Sequence, residues 1–306
     1  MREDTITPKL SFSTGAIYPY PLSAAFALAK EAGFSGVELV LGPEAIWRGP
    51  ANTQRLAARY GLMIYSVHAP IMPLPGWMDM ATSIGRLVEY AAAMNHPPLV
   101  VLHTPRVQNM QQETAGLRYL EALATWRSCQ APVQIALETP GLFRAEDRQS
   151  ALFDVKALRA FADREGLLLT LDTAHVGSMP YDLSDAYETL RERLVNVHLS
   201  DLRHVPRLLD MAALHSYIKH HQLPGQGWLP LERLVRTLLE DDYEGLLTLE
   251  LSPVAVGIWS PRRVRENLWA CVSFVRQLAE SVCTGCAGGV PAHLGSNERY
   301  VPGSTS

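Results

Sequence analysis

The chain has 306 residues, of which 47% are hydrophobic and 19% are charged, a composition that excludes an intrinsically disordered protein. The 27 Lys and Arg residues against 31 Asp and Glu residues leave a net charge of −4, which argues against an extended nucleic-acid surface. No apolar run of about 18 residues is free of charges and breaks, so a membrane span is not expected. The first residues lack the apolar core of a signal peptide, and four cysteines are too few for a disulfide framework. We therefore expect a reduced, cytoplasmic protein.

Eight short apolar runs recur along the chain, and most are followed by a longer stretch with helical spacing. The runs are residues 10–13, 36–41, 62–68, 99–103, 133–138, 167–172, 195–199 and 246–251. Several are apolar on both faces, which is typical of parallel strands that are buried on both faces. Eight strand–helix units favour a single α/β domain, a (β/α)8 TIM barrel, over an open doubly wound sheet. The glycine-rich nucleotide loop that many open sheets carry is not found in the sequence.

Two helices are well marked. Residues 231–238 carry leucine or valine at the i, i+3, i+4 and i+7 positions of a helix with one buried face. The helix after the sixth strand is expected to begin near residues 182–185, which include good N-cap residues.

The barrel is predicted to span residues 1–280, with a disordered tail over residues 281–306. This tail is rich in Gly, Pro and Ser. Its Cys283 and Cys286 form a lone CxxC pair. Without a second ligand pair, surface thiols are favoured over a metal or redox site.

Six consecutive predicted strands bring an imidazole or a carboxylate to one rim of the barrel. Active sites of such barrels lie at the carboxyl ends of the strands. The residues at or near these ends are His68, His103, Glu138, Asp172, His175, His198 and Glu250. Mixed imidazoles and carboxylates suit divalent ions such as Zn²⁺, Mn²⁺ or Fe²⁺, and clustering buried carboxylates without a cation is costly. The set predicts a metal site.

Two other kinds of catalysis are disfavoured by the pattern. None of the four lysines ends a predicted strand, which argues against a Schiff-base aldolase. No Ser or Cys lies on a recognisable nucleophile turn beside a His. Metal-assisted acid–base chemistry and metal-assisted hydrolysis remain.

Three further residues are candidates for substrate contact. Glu38 ends the second predicted strand, where bonding to nearby backbone is an equal alternative. Arg106 and Arg203 follow the fourth and seventh strands. Each offers a bidentate pair to a substrate phosphate or carboxylate, with an ordinary surface position as the alternative.

The strand-end motifs resemble those of the xylose isomerase-like TIM-barrel superfamily across residues 9–280. They are HAP, LHTP, LETP, LDTAH, VHLSD, LPGQG and LELS, in the order and spacing of that superfamily. Its members include sugar-phosphate isomerases and epimerases, ketose 3-epimerases, inosose dehydratases and the endonuclease IV family. The resemblance implies a metal-dependent enzyme on a TIM barrel.

In epimerase-like members, the resemblance implies one Zn²⁺, Mn²⁺ or Mg²⁺ held by Glu138, Asp172, His198 and Glu250. The two glutamates would also move a proton at the carbon next to a carbonyl through an enediolate, while the metal polarises the carbonyl. His175 would contact a substrate hydroxyl. The implied substrate is a small sugar, sugar phosphate or polyol. An inosose dehydratase-like lyase shares the enolisation step, and a homo-oligomer is left open.

In endonuclease IV-like members, the same positions imply a zinc cluster that cuts a phosphodiester. Glu138 would bridge two metals, with His68 and His103 completing the first. His175 and His221 would belong to a third metal.

The sequence departs from this endonuclease pattern at two positions. Lys219 stands where that family has an aspartate ligand, and a charged ammonium offers no lone pair to a metal. Gln226 replaces the glutamate of that family's GEG motif. A nucleic-acid partner is therefore not expected. The third hypothesis is a barrel that binds a metal or sugar without turnover, against which the Glu138 and Glu250 pair argues.

Overall fold

The chain forms a closed barrel of eight parallel strands, seen in a computed structural model that describes residues 8–129, 131–206 and 214–287. Each strand pairs with its neighbours in chain order, and the first pairs with the last to close the ring. The strands are β1 (Lys9–Ser13), β2 (Gly36–Val40), β3 (Met63–His68), β4 (Leu99–Leu102), β5 (Ile135–Glu138), β6 (Leu168–Asp172), β7 (Leu194–Leu199) and β8 (Leu246–Leu249). The predicted (β/α)8 TIM barrel is confirmed, with each strand close to its predicted position.

Helices connect the strands and cover the outside of the barrel. They are α1 (Leu22–Ala32), α2 (Pro43–Arg48), α3 (Pro50–Arg59), α4 (Met80–Ala92), α5 (Thr114–Ser128), α6 (Val155–Glu165), α7 (Thr173–Ser178), α8 (Leu183–Leu190), α9 (His215–Ile218), α10 (Leu231–Glu240), α11 (Pro253–Val256) and α12 (Pro261–Ala287). Short 3₁₀ turns occupy Thr14–Ile17 and Ala145–Gln149. Within the described part of the chain, none of the helices has both the length and the apolar content needed to cross a membrane.

The predicted helix signals correspond to real packing. Asp182 caps α8, and its carboxylate accepts a hydrogen bond from the backbone N–H of Ser184 at 2.8 Å. The four apolar residues of the predicted 231–238 face are the buried residues of α10. Burial of such side chains stabilises the fold by about 1.5–3 kcal/mol each, which holds this helix against the barrel.

The last helix is longer than the sequence pattern indicates. The sequence pattern predicts an end near residue 280, but α12 continues to Ala287. Arg236 of α10 donates a hydrogen bond to Ser281 Oγ at 2.6 Å, so packing against α10 extends past the predicted boundary. Cys283 is an exposed residue of this helix. The side chain of Cys286 and residues 288–306 lie outside the described part of the chain.

The alternation of side chains along the strands gives the barrel interior layers of polar groups. Thr170 and Asp172 on β6, and Asn196 and His198 on β7, are all fully buried. In the lower layer, Thr248 Oγ1 donates to Asn196 Oδ1 at 2.9 Å. Asp172 and His198 lie one layer higher, nearer the carboxyl ends of their strands. This end of the barrel is therefore a buried polar chamber.

Candidate active site and metal centre

The upper polar layer collects the residues predicted from the strand ends. They are His68 at the end of β3, His103 after β4, Glu138 at the end of β5, Asp172 at the end of β6, His198 within β7 and Glu250 after β8. Asp172 is also the N-cap of α7, and its Oδ1 accepts the backbone N–H of His175 at 2.7 Å. This cap fixes the first turn of α7 and so places His175 beside the other residues.

His198 lies at the centre of a group of four potential ligands. Its Nδ1 is 2.9 Å from Glu250 Oε2, and 3.8 Å from both Glu138 Oε1 and Asp172 Oδ2. The ligand atoms of these four residues all lie within 4.8 Å of one another. Three carboxylates and one imidazole around a single point are a donor set that divalent metals accept.

Two further groups flank the central one and share residues with it. In the first, His103 Nε2 lies 3.2 Å and His68 Nε2 lies 3.8 Å from Glu138 Oε2. The second contains Asp172, His175 and His221, with His221 Nδ1 at 3.9 Å from Asp172 Oδ2. All eight residues predicted as metal ligands thus fall within three adjoining groups.

The backbone of His221 adopts a conformation that non-glycine residues seldom take. Its φ is 54°, in the left-handed region, which costs on the order of 1–3 kcal/mol. The conformation is held from both sides, because the carbonyl of His221 accepts the N–H of Ser252 at 2.7 Å and its Nδ1 lies 3.3 Å from Ser200 Oγ. The fold therefore fixes this imidazole at the mouth of the barrel.

The hydrogen-bond pattern of the cluster fits a bound cation. Six of its buried atoms have no hydrogen-bond partner among the described residues: His68 Nε2, Glu138 Oε1, Glu138 Oε2, Asp172 Oδ2, His198 Nδ1 and Glu250 Oε2. Buried polar atoms without partners are rare and costly in folded proteins. The six are carboxylate oxygens and imidazole nitrogens that face one another at 2.9–3.8 Å. A divalent cation satisfies such a set, so the residues present fit a metal.

The electrostatics of the cluster lead to the same conclusion. Burial alone would lower the pKa of His68 and His175, but the nearby carboxylates raise these values to about 9 and about 10. Burial, together with the charges of Glu250 and Glu138, raises the pKa of Asp172 well above its usual range. The imidazoles around Glu138 hold its pKa well below the usual range despite burial. Protons thus compensate crowded negative charge, a role that a divalent ion also fills.

A cavity of about 1030 Å³ opens above the cluster. Its floor includes His68, His103, Glu138, His175, His221 and Glu250. Asp172 and His198 have no exposed surface and lie beneath this floor. The volume is at the upper end of the range for small-molecule sites, and the barrel mouth is therefore shaped to hold a substrate over the ligand groups.

The three residues predicted to contact substrate have different positions. Arg106 lines the cavity. Arg203 is exposed and is not among the cavity-lining residues; its backbone N–H donates to the carbonyl of Lys219 at 2.9 Å. Glu38 also does not line the cavity, because its side chain is fully buried behind His198. Of the three, only Arg106 is placed to contact a substrate in this cavity.

The LPGQG motif has a structural role in positioning the site. Asp201 is fully buried, and its two carboxylate oxygens accept backbone N–H groups of Leu202, Gly225, Gly227 and Leu229 at 2.8–3.1 Å. A Cβ on Gly227 would lie 2.3 Å from Asp201 Oδ1, so only glycine allows this close approach. Asp201 also pairs through its backbone with Gln222, next to His221.

Some cavity residues were not singled out from the sequence. Phe143 packs edge-on against His175, with ring centroids 5.2 Å apart, and stacks on the buried His220 at 4.9 Å. Asp147 lies in the 3₁₀ turn of the same loop. Phe143 and Asp147 lie within the loop after β5, and no spacing rule marks them.

A closed barrel with imidazoles and carboxylates at successive strand ends defines a distinct class of TIM-barrel proteins. Residues 26–268 match the family described as the xylose isomerase-like TIM barrel. This match covers well over half of the chain, and the protein belongs to that family, as its motifs predict.

Proteins of Mycobacterium tuberculosis and Mycobacterium leprae, both described only as uncharacterized, are similar to most of the chain. The M. tuberculosis protein is 27% identical over 266 residues, covering 80% of this chain and 89% of its own length. The M. leprae protein is 26% identical over 268 residues, covering 81% of this chain and 90% of its own length.

Solved sugar epimerases share the fold. An L-ribulose 3-epimerase is 15% identical with a TM-score of 0.67, covering 94% of this chain and 99% of its own. The 3-keto-D-glucoside 4-epimerase of E. coli is 16% identical with a TM-score of 0.62, covering 88% of this chain and 99% of its own. A D-allulose 3-epimerase from Methylomonas sp. is 15% identical with a TM-score of 0.62, covering 89% of this chain and 98% of its own. At these identities the likeness concerns the fold alone.

Proposed function

We propose that the protein is a metal-dependent isomerase or epimerase of a sugar or polyol, acting on the carbon next to a carbonyl. The observation that carries this proposal is the placement of Glu138 and Glu250. Glu138 ends β5 and Glu250 follows β8, on different sides of the barrel, and both line the cavity floor. Two carboxylates that approach one point from different sides suit the removal and return of a proton.

The proton transfer is assigned to these two side chains. Neighbouring imidazoles hold the pKa values of both glutamates well below the usual range despite burial, so both are ionised and able to accept a proton. In an isomerase, the carboxylate that removes the proton would return it to the adjacent carbon. In an epimerase, the second carboxylate would return a proton to the opposite face. His175, which lines the cavity, is proposed to bond a substrate hydroxyl.

A divalent cation belongs to this proposal. Glu138, Asp172, His198 and Glu250 would hold it, and the two flanking groups offer further positions. When bound, the ion polarises the carbonyl of the substrate. Zn²⁺, Mn²⁺ and Mg²⁺ are the candidate ions, because the set mixes imidazoles with carboxylates.

The sugar substrate class is supported by the relatives. The similar solved structures include enzymes named as epimerases of ribulose, allulose and a keto-glucoside, and we carry that class over to this chain. A dehydratase would begin with the same proton removal but would then expel water. The two outcomes differ in the product and are separated by the same experiment.

A zinc-dependent phosphodiesterase is the second candidate, and the flanking ligand groups favour it. The groups around His68 and His175 offer sites for two additional ions, and multi-metal sites suit phosphodiester cleavage. Lys219 and Gln226 stand against it, since both replace carboxylates of the endonuclease pattern. The net charge of −4 also disfavours a nucleic-acid substrate.

The test is proton exchange in deuterated water. The protein is loaded separately with Mn²⁺, Mg²⁺ and Zn²⁺ and incubated with a panel of ketoses, aldoses and inososes, and deuterium incorporation is followed by NMR. We expect metal-dependent exchange at a carbon next to the carbonyl. The matched variant Glu232→Gln, at an exposed position of α10, should exchange normally. Absence of exchange with every ion, together with cleavage of abasic DNA at two or three Zn²⁺ per chain, would overturn the proposal.

A further inference from the structure

The cavity has a second polar region, built by the loops that follow β4 and β5. Arg106 comes from the first loop, and Phe143, Arg144 and Asp147 come from the second. All four residues line the same cavity as the ligand groups. None of them takes part in the proton transfer proposed above.

Hydrogen bonds fix the backbone on both sides of Arg106. The N–H of Ala151 donates to the carbonyl of Val107 at 2.7 Å. Ser150 Oγ donates to the carbonyl of Pro105 at 3.3 Å. The two loops are therefore joined on both sides of Arg106, which fixes the position of its backbone.

The guanidinium of Arg106 is also held in place. Its Nη1 lies 3.5 Å from Asp147 Oδ1, and its Cζ lies 5.5 Å from the centre of the Phe143 ring. Asp147 is itself fixed, because its Oδ2 accepts the backbone N–H groups of Phe143 and Arg144 at 2.9 and 2.7 Å. The Arg106 side chain remains 57% exposed and lines the cavity, so its guanidinium is accessible to a ligand. Such preorganisation reduces the entropic cost of binding.

The charge of this region favours an anion. Asp147 is the carboxylate of the two loops that lines the cavity, and its oxygens are already engaged. Arg144 forms no ion pair with any carboxylate of the described residues. The region thus contains two guanidinium groups and one carboxylate, and the oxygens of that carboxylate already have partners. Guanidinium groups bind phosphates and carboxylates through paired, charge-assisted hydrogen bonds.

The position of this region relative to the ligand groups suits a sugar chain. The Phe143 ring contacts both Arg106 and His175, with Arg106 Cζ 5.5 Å and the His175 ring centre 5.2 Å from its centre. His175 Nδ1 is in turn 2.9 Å from Glu138 Oε1. Arg106 and Glu138 line the same cavity, so a sugar bound at Glu138 can extend toward the arginine.

We propose that Arg106 and Arg144 form an anion subsite, and that the substrate is a sugar with a phosphate or carboxylate group at the end remote from the reacting carbon. The orientation of the sugar rests on the proposed function, whereas anion binding by the two arginines does not. Phosphate and carboxylate share the chemistry that a guanidinium recognises, and the experiment distinguishes them.

The test compares neutral and anionic probes of similar size. Binding of D-fructose, D-fructose 6-phosphate and D-glucuronate to the metal-loaded protein is measured by titration calorimetry at constant ionic strength. We expect one of the anionic sugars to bind at least about tenfold more tightly than fructose, because neutral fructose cannot form the charge-assisted hydrogen bonds to the arginines. Arg106→Gln and Arg144→Gln should each remove most of this preference. Arg148→Gln, on the same loop but outside the cavity lining, should retain it.

Several controls keep the outcomes distinct. Thermal melting verifies that Arg106→Gln is folded. If it is not, Arg144→Gln serves as the test, because this substitution breaks no ion pair with the described residues. Arg106→Lys keeps the charge but loses the planar fork, and it should restore only part of the preference. Equal binding of neutral and anionic sugars, or a preference that survives both glutamine variants, would overturn the anion subsite.

The failure of this inference is separate from the failure of the proposed function. Arginine-dependent binding of an anionic sugar without proton exchange in any sugar would uphold the subsite and contradict the isomerase proposal. Exchange in neutral ketoses that is unaffected by the arginine variants would uphold the isomerase proposal and contradict the subsite.

Discussion

Glu38 Oε2 lies 3.1 Å from His198 Nε2, and this buried contact determines which nitrogen of His198 faces the ligand group. Glu38 also accepts a hydrogen bond from Ser66 Oγ at 3.0 Å, which fixes the carboxylate. In the neutral imidazole, with Nε2 donating to Glu38, the lone pair would be on Nδ1, which lies 2.9 Å from Glu250 Oε2 and is placed to bind a cation. A carboxylate behind a ligating imidazole sets its tautomer and raises its basicity. Glu38 is therefore a positioning residue for the cluster.

Substitution of Glu38 by glutamine should weaken metal binding. The amide is a poorer acceptor for the His198 N–H, so the imidazole loses basicity and orientation; such changes cost about 10–100-fold in metal affinity. Competition titration with a fluorescent chelator measures this directly for Mn²⁺ and Zn²⁺. Glu232→Gln, an exposed glutamate of α10, is the matched control and should bind metal normally. An unchanged affinity in Glu38→Gln would remove Glu38 from this role.

The role of Glu38 shows the limit of sequence reasoning about the site. The alternating pattern predicts that Glu38 points inward, but not its depth in the barrel. The strand β2 continues to Val40, and the register pairs Glu38 with Ser66 and Val40 with His68. Glu38 is thus level with Ser66, one layer below the cavity floor. Without the register, the sequence leaves substrate contact and bonding to nearby backbone as equal alternatives for Glu38. The structure shows side-chain contacts with Ser66 and His198 instead.

The strands and the ligand groups were more predictable than the loops. A parallel barrel brings the carboxyl ends of all its strands to one rim, so an imidazole or carboxylate at a strand end lies near that rim. Loops have no such constraint. Arg106 and Arg203 both follow a strand by a few residues, but only Arg106 lies in the cavity. Contacts from Ser150 and Ala151, distant in sequence, decide the path of the Arg106 loop.

Removal of the metal should destabilise the fold. A chelator would leave the six unpaired polar atoms of the cluster without a cation, and a ligand that binds only the folded state stabilises it by about 2.7 kcal/mol at 100 times its Kd. We expect Tm to fall by roughly 5 °C after treatment with EDTA, and to recover with added Mn²⁺ or Zn²⁺. Differential scanning calorimetry measures both changes. Identical melting curves with and without metal would contradict a resident ion.

Glu250→Gln should separate proton transfer from binding. Glutamine keeps an oxygen ligand and a similar shape, but it does not accept a proton, so exchange should fall by about 10²–10⁴-fold. Binding of the sugar, measured by calorimetry, should be largely retained. Metal content by mass spectrometry must be determined in parallel, to separate loss of the base from loss of the ion. A variant that holds its metal and exchanges at the normal rate would refute the proton-handling role of Glu250.

Asp201→Asn should destabilise the loop that carries His221. Each carboxylate oxygen of Asp201 accepts two backbone N–H groups, and an amide nitrogen in place of one oxygen would face two donors without an acceptor. Because the side chain is fully buried, we expect the free energy of unfolding to fall by about 2–4 kcal/mol. Urea denaturation measures this loss, with Asp185→Asn at an exposed position of α8 as the control. Equal stability of the two variants would show that the four N–H groups find other acceptors.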